Sequence, residues 1–543
     1  MGGGSRIDCE DTMQKILRIE ESDNLIVALK DLHRGETVQW KGQPFTLASD
    51  VRAKHKFATE DVPEGGIVSL YGLPVGKAVK PIAKGEVVGT ENIRHYTAPV
   101  SLADTTPYAW TPPDVSAYAG RTFKGVVRDD GRVGTANYWL VIPLVFCANR
   151  NATKLADALN EALGYANSDL KSFARKLANG TADADGGGRP FPNLDGVRSM
   201  PVTSGCGGAT SDCQTLCDVL AAYADHPNVA GITVFGLGCE KSQIAMFKDS
   251  LAARNPNFAK PALYYRQQDW DSEERMMQDA LRSTLGLLGN ANECERTEVP
   301  LARLKIGVKC GGSDGFSGIS ANPAMGVASD IVVALGGGSV LAEFPELCGA
   351  EGNIVARCGE VETKQKFLDL MQNYEKVANF FGTTMADNPS WGNIQDGLVT
   401  DAIKSTGAAK KGGNAPVAAV LDYCRAMPDA GLSLSCTPGN DVDAVTGQVA
   451  AGANVVIFST GLGTPTGNPI VPVVKISTNT AIAKRLSYMI DFDCGPIIEG
   501  ASIDEVGRAL LERVIETASG DYKVKADQLE QFDFMLWKRS LDL

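Results

Sequence analysis

The chain has 543 residues, 44% hydrophobic and 22% charged, which is the make-up of a soluble globular protein with room for about two to four domains. A formal net charge of -13 and a pI near 5 argue against a nucleic-acid partner, which requires a basic face, but leave open a local Lys or Arg cluster for small anions. No run of about 18 apolar residues marks a membrane span, and the start MGGGSRIDCEDTMQ has no apolar signal core. The 13 cysteines are scattered, without a CxxC pair or a zinc-type spacing, so free thiols in a reducing cytoplasm are expected.

Residues 12–100 alternate short β-type stretches with turns: DNLIVAL, GETVQW, GGIVSLYG and GEVVGTEN. A Gly-containing turn followed by an apolar pair recurs at RGETV, EGGIV and KGEVV, the rhythm of a small all-β module. Residues 101–120, rich in Pro, Thr and Ser, read as a linker. From 121 onward strands alternate with helical patterns, which predicts a large α/β region with a first lobe over 121–330 and a second over 331–543. YWLVIPLVFC, VAGITVFGLG, LKIGVKCGG, DIVVALGGG, NVVIFSTGLG and VPVVKISTN read as strands; NATKLADALNEAL, KSQIAMFKDSLAAR and IDEVGRALLERVIETASG read as helices. Residues 166–200 look like an irregular excursion within the first lobe.

Five strand-end loops share one composition: SGCGGATSD, GLGCEKSQ, KCGGSDGFSGISANP, CTPGNDVDAVTG and STGLGTPTGNP. Each combines backbone N–H groups, small hydroxyls and a carboxylate or amide, donors and acceptors suited to a polyhydroxylated acid. GLGCEK lacks the full GxGxxG spacing of a dinucleotide site, and no phosphate-binding GxxxxGK[ST] loop exists. Of four histidines, His55 stands between two lysines in RAKHKFATED, an electropositive setting, while His226 in ADHPNVAG reads as a structural stop before proline.

HPNVAGITVFGLGCEKSQ, KIGVKCGGSDGFSGISANPAMG, LAEFPELCGAE, TPGNDVDAVTG and FSTGLGTPTGNPIVPVVKISTNT closely resemble the altronate/galactarate dehydratase family, in the same order from about residue 14 to the C-terminus. The resemblance implies an N-terminal β-clip module of the SAF type followed by the α/β catalytic region. It also implies loss of water from a hexonate or hexarate with a divalent metal, Fe²⁺ or Mn²⁺. With no nucleic-acid or membrane partner expected from the charge and the apolar pattern, the partner is a small sugar acid, and a homo-oligomer is left open. D-altronate giving 2-keto-3-deoxy-D-gluconate is the first expectation. Galactarate dehydration, elimination as in sulfolactate sulfo-lyases, and a non-catalytic sugar-acid sensor are the alternatives. Two departures stand out. HKFA is kept at His55 to Ala58, but a usual histidine pair is replaced by GTEN, with Gly89 and Glu91. A common TTLEDKSLG segment reads VTDAIKSTG, which keeps Lys404 and Ser405 and has Ala402 in place of an acid.

Dehydration removes the C2 proton beside a carboxylate and expels the C3 hydroxyl, so the site must stabilise an enediolate-like dianion with a metal or cations. His55 and Glu91 are the expected metal ligands, His55, Lys309, Asp314 and Lys404 the catalytic candidates, and Lys309 or Lys404 the base or carboxylate clamp. Ser313, Asn322, Asn440, Asp441, Thr460 and Asn479 would bind hydroxyls, and Lys475 would pair with the substrate carboxylate. Cys310 and Cys239 read as packed loop thiols, because dehydration needs no covalent thiol step.

Overall fold

The computed structural model describes residues 15–40, 43–98, 100, 108–165 and 189–540. Its N-terminal part is all β. Ile16–Leu17, Leu25–Ala28, Lys56–Ala58 and Val87–Val88 form one antiparallel sheet; Thr37–Trp40 pairs with Gln43–Thr46; Leu73–Ala78 lies between Ile67–Leu70 and Ile93–Arg94. The repeated sequence turn is a repeated backbone turn, with Gly35, Gly65 and Gly85 at φ 83°, 79° and 81°, a conformation that glycine adopts without steric cost. The module does not keep a core to itself. Leu25, Leu70, Tyr71 and Val75 share one apolar cluster with Phe316, Ile319, Leu398 and Ile403 of the following region. At about 1.5–3 kcal/mol for each large side chain taken fully out of water, that shared core holds the two parts together.

The α/β region carries two parallel sheets. The first contains β1 (Tyr138–Pro143), β2 (Gly196–Ser199), β3 (Val229–Gly236) and β4 (Ala262–Arg266) in the order β2–β1–β3–β4. β1 and β3 are buried at every position, which is why YWLVIP and VAGITVFG are continuous runs instead of alternating ones. The second contains β5 (Lys305–Cys310), β6 (Gly338–Leu341), β7 (Val417–Leu421), β8 (Gly431–Ser435), β9 (Val455–Thr460), β10 (Val473–Ser477) and β11 (Phe492–Asp493) in the order β7–β8–β6–β5–β9–β10–β11. Helices Ala321–Ala334 and Ile503–Ala518 pack on each other and supply buried residues to the main core. Among the described residues no helix is long and apolar enough to cross a membrane.

Four details differ from the sequence reading. DIVVALGGG is not a strand: Asp330 to Ala334 end the helix Ala321–Ala334, and the strand follows at Gly338–Leu341. A short apolar run looks the same in a buried helix and a buried strand, and here the helix took it. The second sheet starts at Lys305, ahead of the lobe boundary expected at 330, because β5 pairs with β6 and β9. The excursion over 166–200 is shorter than expected, since Gly196–Ser199 pairs in parallel with β1; residues 166–188 lie outside the described part. Of the expected linker, 101–107 also lie outside it, while Tyr118 is buried and the Tyr108 hydroxyl donates to Asn414 O at 2.8 Å, so its described end is fastened to the catalytic region.

His226 ends the helix Thr210–Asp225 and is buried. Its Nε2 meets Ala453 O at 3.0 Å and its Nδ1 accepts from Asn228 N at 3.1 Å, so the neutral ring with hydrogen on Nε2 satisfies both. Burial pushes its pKa down to about 3, with the bond to Ala453 O pulling upward and the nearby charges of Lys260, Arg254 and Arg132 adding to the fall. An unfolded histidine takes up its proton near 6.5, so the folded state loses stability as the pH falls from that value towards 3, by on the order of 4–5 kcal/mol at the acid end. His226→Gln should cost stability at pH 7 but flatten the acid loss; urea unfolding at pH 7 and pH 5 checks this, and an unchanged slope between the two would rule His226 out as its source.

Candidate active site at the carboxyl ends of the second sheet

β5 leads towards β6 on one side and β9 leads towards β10 on the other, so the loops after these adjacent strands diverge. This is a topological switch point, the place in an α/β sheet where a ligand crevice is expected. The two loops are stitched at the base: Gly311 N donates to Ser459 O at 3.0 Å, and Gly461 N and Leu462 N both donate to Gly312 O at 3.0 Å. A side chain at Gly311 would strike the carboxylate of Asp441, and one at Gly461 would strike that of Asp314, so glycine is required for the approach.

Beside the crevice lies a buried array of alternating charge. Lys309, at the end of β5, places Nζ 2.7 Å from Glu343 and 2.7 Å from Asp441. Lys411 lies 3.1 Å from Glu346 Oε2, 3.7 Å from Glu343 Oε2 and 2.8 Å from Cys310 Sγ. Lys404 meets Glu346 Oε1 at 3.2 Å and also bonds Asn388 Oδ1. Glu343 follows β6 in a left-handed conformation, φ 70° and ψ 76°, which costs a non-glycine residue about 1–3 kcal/mol and is held by these contacts. Burial, then the charge of Glu346, raises Glu343 to about 8 against the pull of Lys309 and Lys411. Burial also opposes the charge on Glu346, but Lys411, Lys404 and Lys309 outweigh it and hold that carboxyl well below its usual range. For Lys309 burial favours the neutral amine, and Glu343 with Asp441 overrides it, so the ammonium is held firmly.

Cys310 Sγ and carboxylate oxygens of Glu343 and Glu346 lie within 4.8 Å of one another, and among the described residues no other group of three His, Cys, Asp or Glu does. Glu343 Oε2 is buried without a hydrogen-bond partner, so this trio retains acceptor capacity for a cation. One sulfur and two carboxylates are a donor set that suits a divalent metal ion. Such an ion would share Cys310 and Glu346 with Lys411.

The N-terminal module reaches the same crevice through the segment Lys54 to Lys56. Lys54 Nζ lies 3.0 Å from Asp314 Oδ2 and 3.0 Å from Asp396 Oδ2. His55 Nε2 meets Gln395 O at 3.0 Å, and burial lowers the pKa of its half-buried ring, favouring the neutral form. Lys56 is fully buried and donates to Lys54 O at 2.9 Å and Gly397 O at 2.8 Å; burial lowers it to about 7 although nearby Asp314 opposes the shift.

The expected site residues divide accordingly. Lys309, Lys404 and Asp441 belong to the charged array, and Asp314 and His55 to the junction with the module. Ser313 Oγ is buried and without a partner beside them, so it is available to a ligand. Asp314 is enclosed, with Thr478 Oγ1 at 3.1 Å and Ser317 Oγ at 3.1 Å as well as Lys54. Asn440 and Asn479 cap the helices Asp441–Ala451 and Thr480–Arg485. Asn322 bridges Ser459 and Gly407, and Thr460 Oγ1 accepts from Gly463 N. Lys475 is buried and bonds Gln531 of the C-terminal segment. Glu91, exposed, folds its carboxylate over Gly89, and neither it nor His55 belongs to a group of three donors. Cys310 is more than a packed thiol, since it touches Lys411 and Glu346. The reading missed Glu343 and Glu346 although LAEFPELCGAE was in view; two acids three apart around Phe-Pro after a strand were the available signal. Lys411 and Lys54 carried none beyond their charge.

Comparison with known proteins agrees with this architecture. Residues 14–96 match the altronate/galactarate dehydratase SAF domain, 125–292 the D-galactarate dehydratase/altronate hydrolase second domain, and 301–541 the D-galactarate/altronate dehydratase C-terminal domain. The chain is 34% identical to altronate dehydratase of Bacillus subtilis (strain 168) over 516 residues, 94% of this chain and 96% of the relative. The chain belongs to the altronate/galactarate dehydratase family. Altronate dehydratase of Escherichia coli (strain K12) is 34% identical over 507 residues, 93% of this chain and 95% of the relative. Galactarate dehydratase (L-threo-forming) of the same organism is 29% identical over 518 residues, 94% of each. Membership of this dehydratase family and the Cys/Glu/Glu group support dehydratase-type elimination on a sugar acid, and lyase activity generally.

If the array acts as one unit, its members are coupled. Glu346→Gln alone leaves Lys411 short of its partner and should cost about 3–5 kcal/mol. The double variant Glu346→Gln with Lys411→Met should recover part of that. Urea unfolding of the four proteins gives the coupling energy, and simple additivity would dissolve the unit.

Proposed function

We propose that this protein dehydrates a hexonate, D-altronate before others, to 2-keto-3-deoxy-D-gluconate and water. The observation that carries the reading is the array of three lysines around Cys310, Glu343 and Glu346 at the sheet crevice. Altronate ranks ahead of galactarate because the two altronate dehydratase relatives share 34% of their residues with this chain and the galactarate dehydratase 29%.

Cys310, Glu343 and Glu346 are the residues that would hold a divalent ion, Fe²⁺ or Mn²⁺, and bound there it would supply a Lewis acid. Lys404 is the least enclosed of the three lysines, and Glu346, despite an opposing effect of burial, keeps it protonated. It is therefore a clamp for the substrate carboxylate rather than a base. Lys309 and Lys411 add fixed positive charge where the dianion forms, at no cost in reorganisation. His55 donates from Nε2 to Gln395 O, which leaves Nδ1 as an acceptor nitrogen on a neutral ring. It is the group we assign to the C2 proton. Asp314 fixes Lys54 and through it the position of His55. Ser313 Oγ and Asp441 serve the sugar hydroxyls.

Anaerobic incubation with Fe²⁺ or Mn²⁺ and a panel of hexonates, hexarates and sulfolactate, scored for 2-keto-3-deoxy acid and for released sulfite, tests the reaction. D-altronate should be turned over fastest, chelation should abolish turnover and either ion should restore it. Binding without turnover on every compound would favour the sensor, and sulfite would favour the sulfo-lyase. His55→Gln should lower turnover by roughly a hundredfold or more, the loss expected for a positioned base. His226→Gln should leave turnover within a few-fold at pH 7, and equal small losses in both would remove His55 from the chemistry.

A further inference from the structure

Among the described residues three cysteines are exposed, Cys147, Cys206 and Cys239, and nothing in the proposed reaction uses them. Exposure is unusual for cysteine, which is among the most buried residue types. Their positions are related. β2, β1 and β3 are neighbours in the first sheet, all parallel, and each of the three cysteines stands in the loop just past the carboxyl end of one of them. Cys147 lies in the turn Phe146–Ala148 after β1, Cys206 in SGCGG after β2, and Cys239 in GLGCE after β3.

The three loops are built against each other. Phe146 N donates to Ser204 O at 3.0 Å, while Lys241 N and Ser242 N donate to Gly205 O at 3.0 and 3.1 Å. Lys241 Nζ reaches Gly208 O at 2.8 Å. Gly205 has φ 107°, and a side chain there would strike the backbone of Leu144, so the Cys206 loop can lie on the Cys147 loop only with glycine at this place. Within the loops, Ser204 Oγ and Glu240 Oε1 are buried without hydrogen-bond partners and so are free to hold a water, an ion or a bound group. Glu240 itself is 3% exposed.

Three thiols on loops that hydrogen-bond to one another are the donors a soft metal takes. A single structural zinc ion needs four donors at one point. Among the described residues these sulfurs belong to no group of His, Cys, Asp or Glu donors within 4.8 Å of one another, the spacing that Cys310, Glu343 and Glu346 satisfy. A larger inorganic core spans more widely placed sulfurs. We propose that Cys147, Cys206 and Cys239 hold an iron–sulfur cluster of the four-iron type, with one iron bound by no cysteine. Such clusters are ordinarily held by four thiolates, so three leave one iron with an open position for an oxygen ligand. The site is separate from the Cys310 group and stands whether or not the substrate assignment does.

The test uses the full chain, purified without oxygen and reconstituted with ferric iron and sulfide under a thiol reductant, which reduces half of the iron. Expected are about four iron and about four acid-labile sulfide per chain, with a broad visible absorption from thiolate-to-iron charge transfer. Cys147→Ser, Cys206→Ser and Cys239→Ser should each lose at least tenfold of the sulfide and absorption, with circular dichroism unchanged. Cys294→Ser and Cys310→Ser should keep both. If a serine variant fails to fold, alkylation of the wild type decides. The three thiols should be protected in the loaded protein and labelled after chelation, as read on their peptides. Reconstituted wild type without labile sulfide, one zinc per chain in its place, an undiminished cluster in all three variants, or free labelling of the three thiols in loaded protein would each overturn the proposal.

Discussion

The burial of Lys309 at the end of β5 governs the geometry of the second sheet's working end. An ammonium 1% exposed at its side chain cannot stay charged in an apolar sheet without partners close by, and the chain provides them from two other loops. Glu343 comes after β6 and Asp441 opens the helix that follows β8, so one lysine draws three strand ends into register. Glu343 pays in backbone strain for its position, and its neighbour Glu346 then requires Lys411 and Lys404. The glycines at 311 and 461 follow from the same demand, because the loops around the array have no room for side chains.

The N-terminal module is part of this arrangement. Its apolar face is completed by Phe316, Ile319, Leu398 and Ile403, and its segment Lys54 to Lys56 closes against Asp314, Gln395 and Gly397. Lys56 sharpens the point. Buried beside Asp314, with its amine held by two carbonyl oxygens, it fixes the backbone of Lys54 and the segment's fit to Gly397, and so fixes where the imidazole of His55 points. A histidine on a free module would have no fixed relation to the crevice; a histidine between two anchored lysines does.

How much of this was legible in the sequence depends on the kind of signal. Strands such as YWLVIP and NVVIFST were readable because double burial makes a continuous apolar run, and the module's turns because glycine at positive φ repeats. DIVVAL failed for the converse reason: all-round burial removes the helical period as thoroughly as it removes strand alternation. Lys309 and Lys404 were chosen on motif and composition, and both lie in the array. Lys475 was chosen on the same grounds, but it bonds Gln531 of the C-terminal segment: it shares the register of Lys309 with Phe458 between them, one strand too far along the sheet to join the array. Asn440 and Asn479 shared the loop chemistry of binding residues and turned out to cap helices, a use of asparagine that composition cannot separate from ligand binding. Lys411 meets Glu343 and Glu346 only through long-range contacts, and no local pattern announces a pair of charges brought together by a sheet.

The charge count explains why such an array suits elimination from an acid. Glu343, Glu346 and Asp441 face Lys309, Lys404 and Lys411; burial and the charge of Glu346 keep a proton on Glu343 near neutral pH, so the three ammonium groups outnumber the ionised carboxyl groups before anything binds. Entry of a dication among Cys310, Glu343 and Glu346 would displace that proton and raise the positive excess further, and the enediolate-like dianion is the species that would offset it. Substrate in its ordinary monoanionic state would offset only half as much. The array would then favour the transition state over the ground state by design of its charge, which is the condition for catalysis as opposed to tight binding.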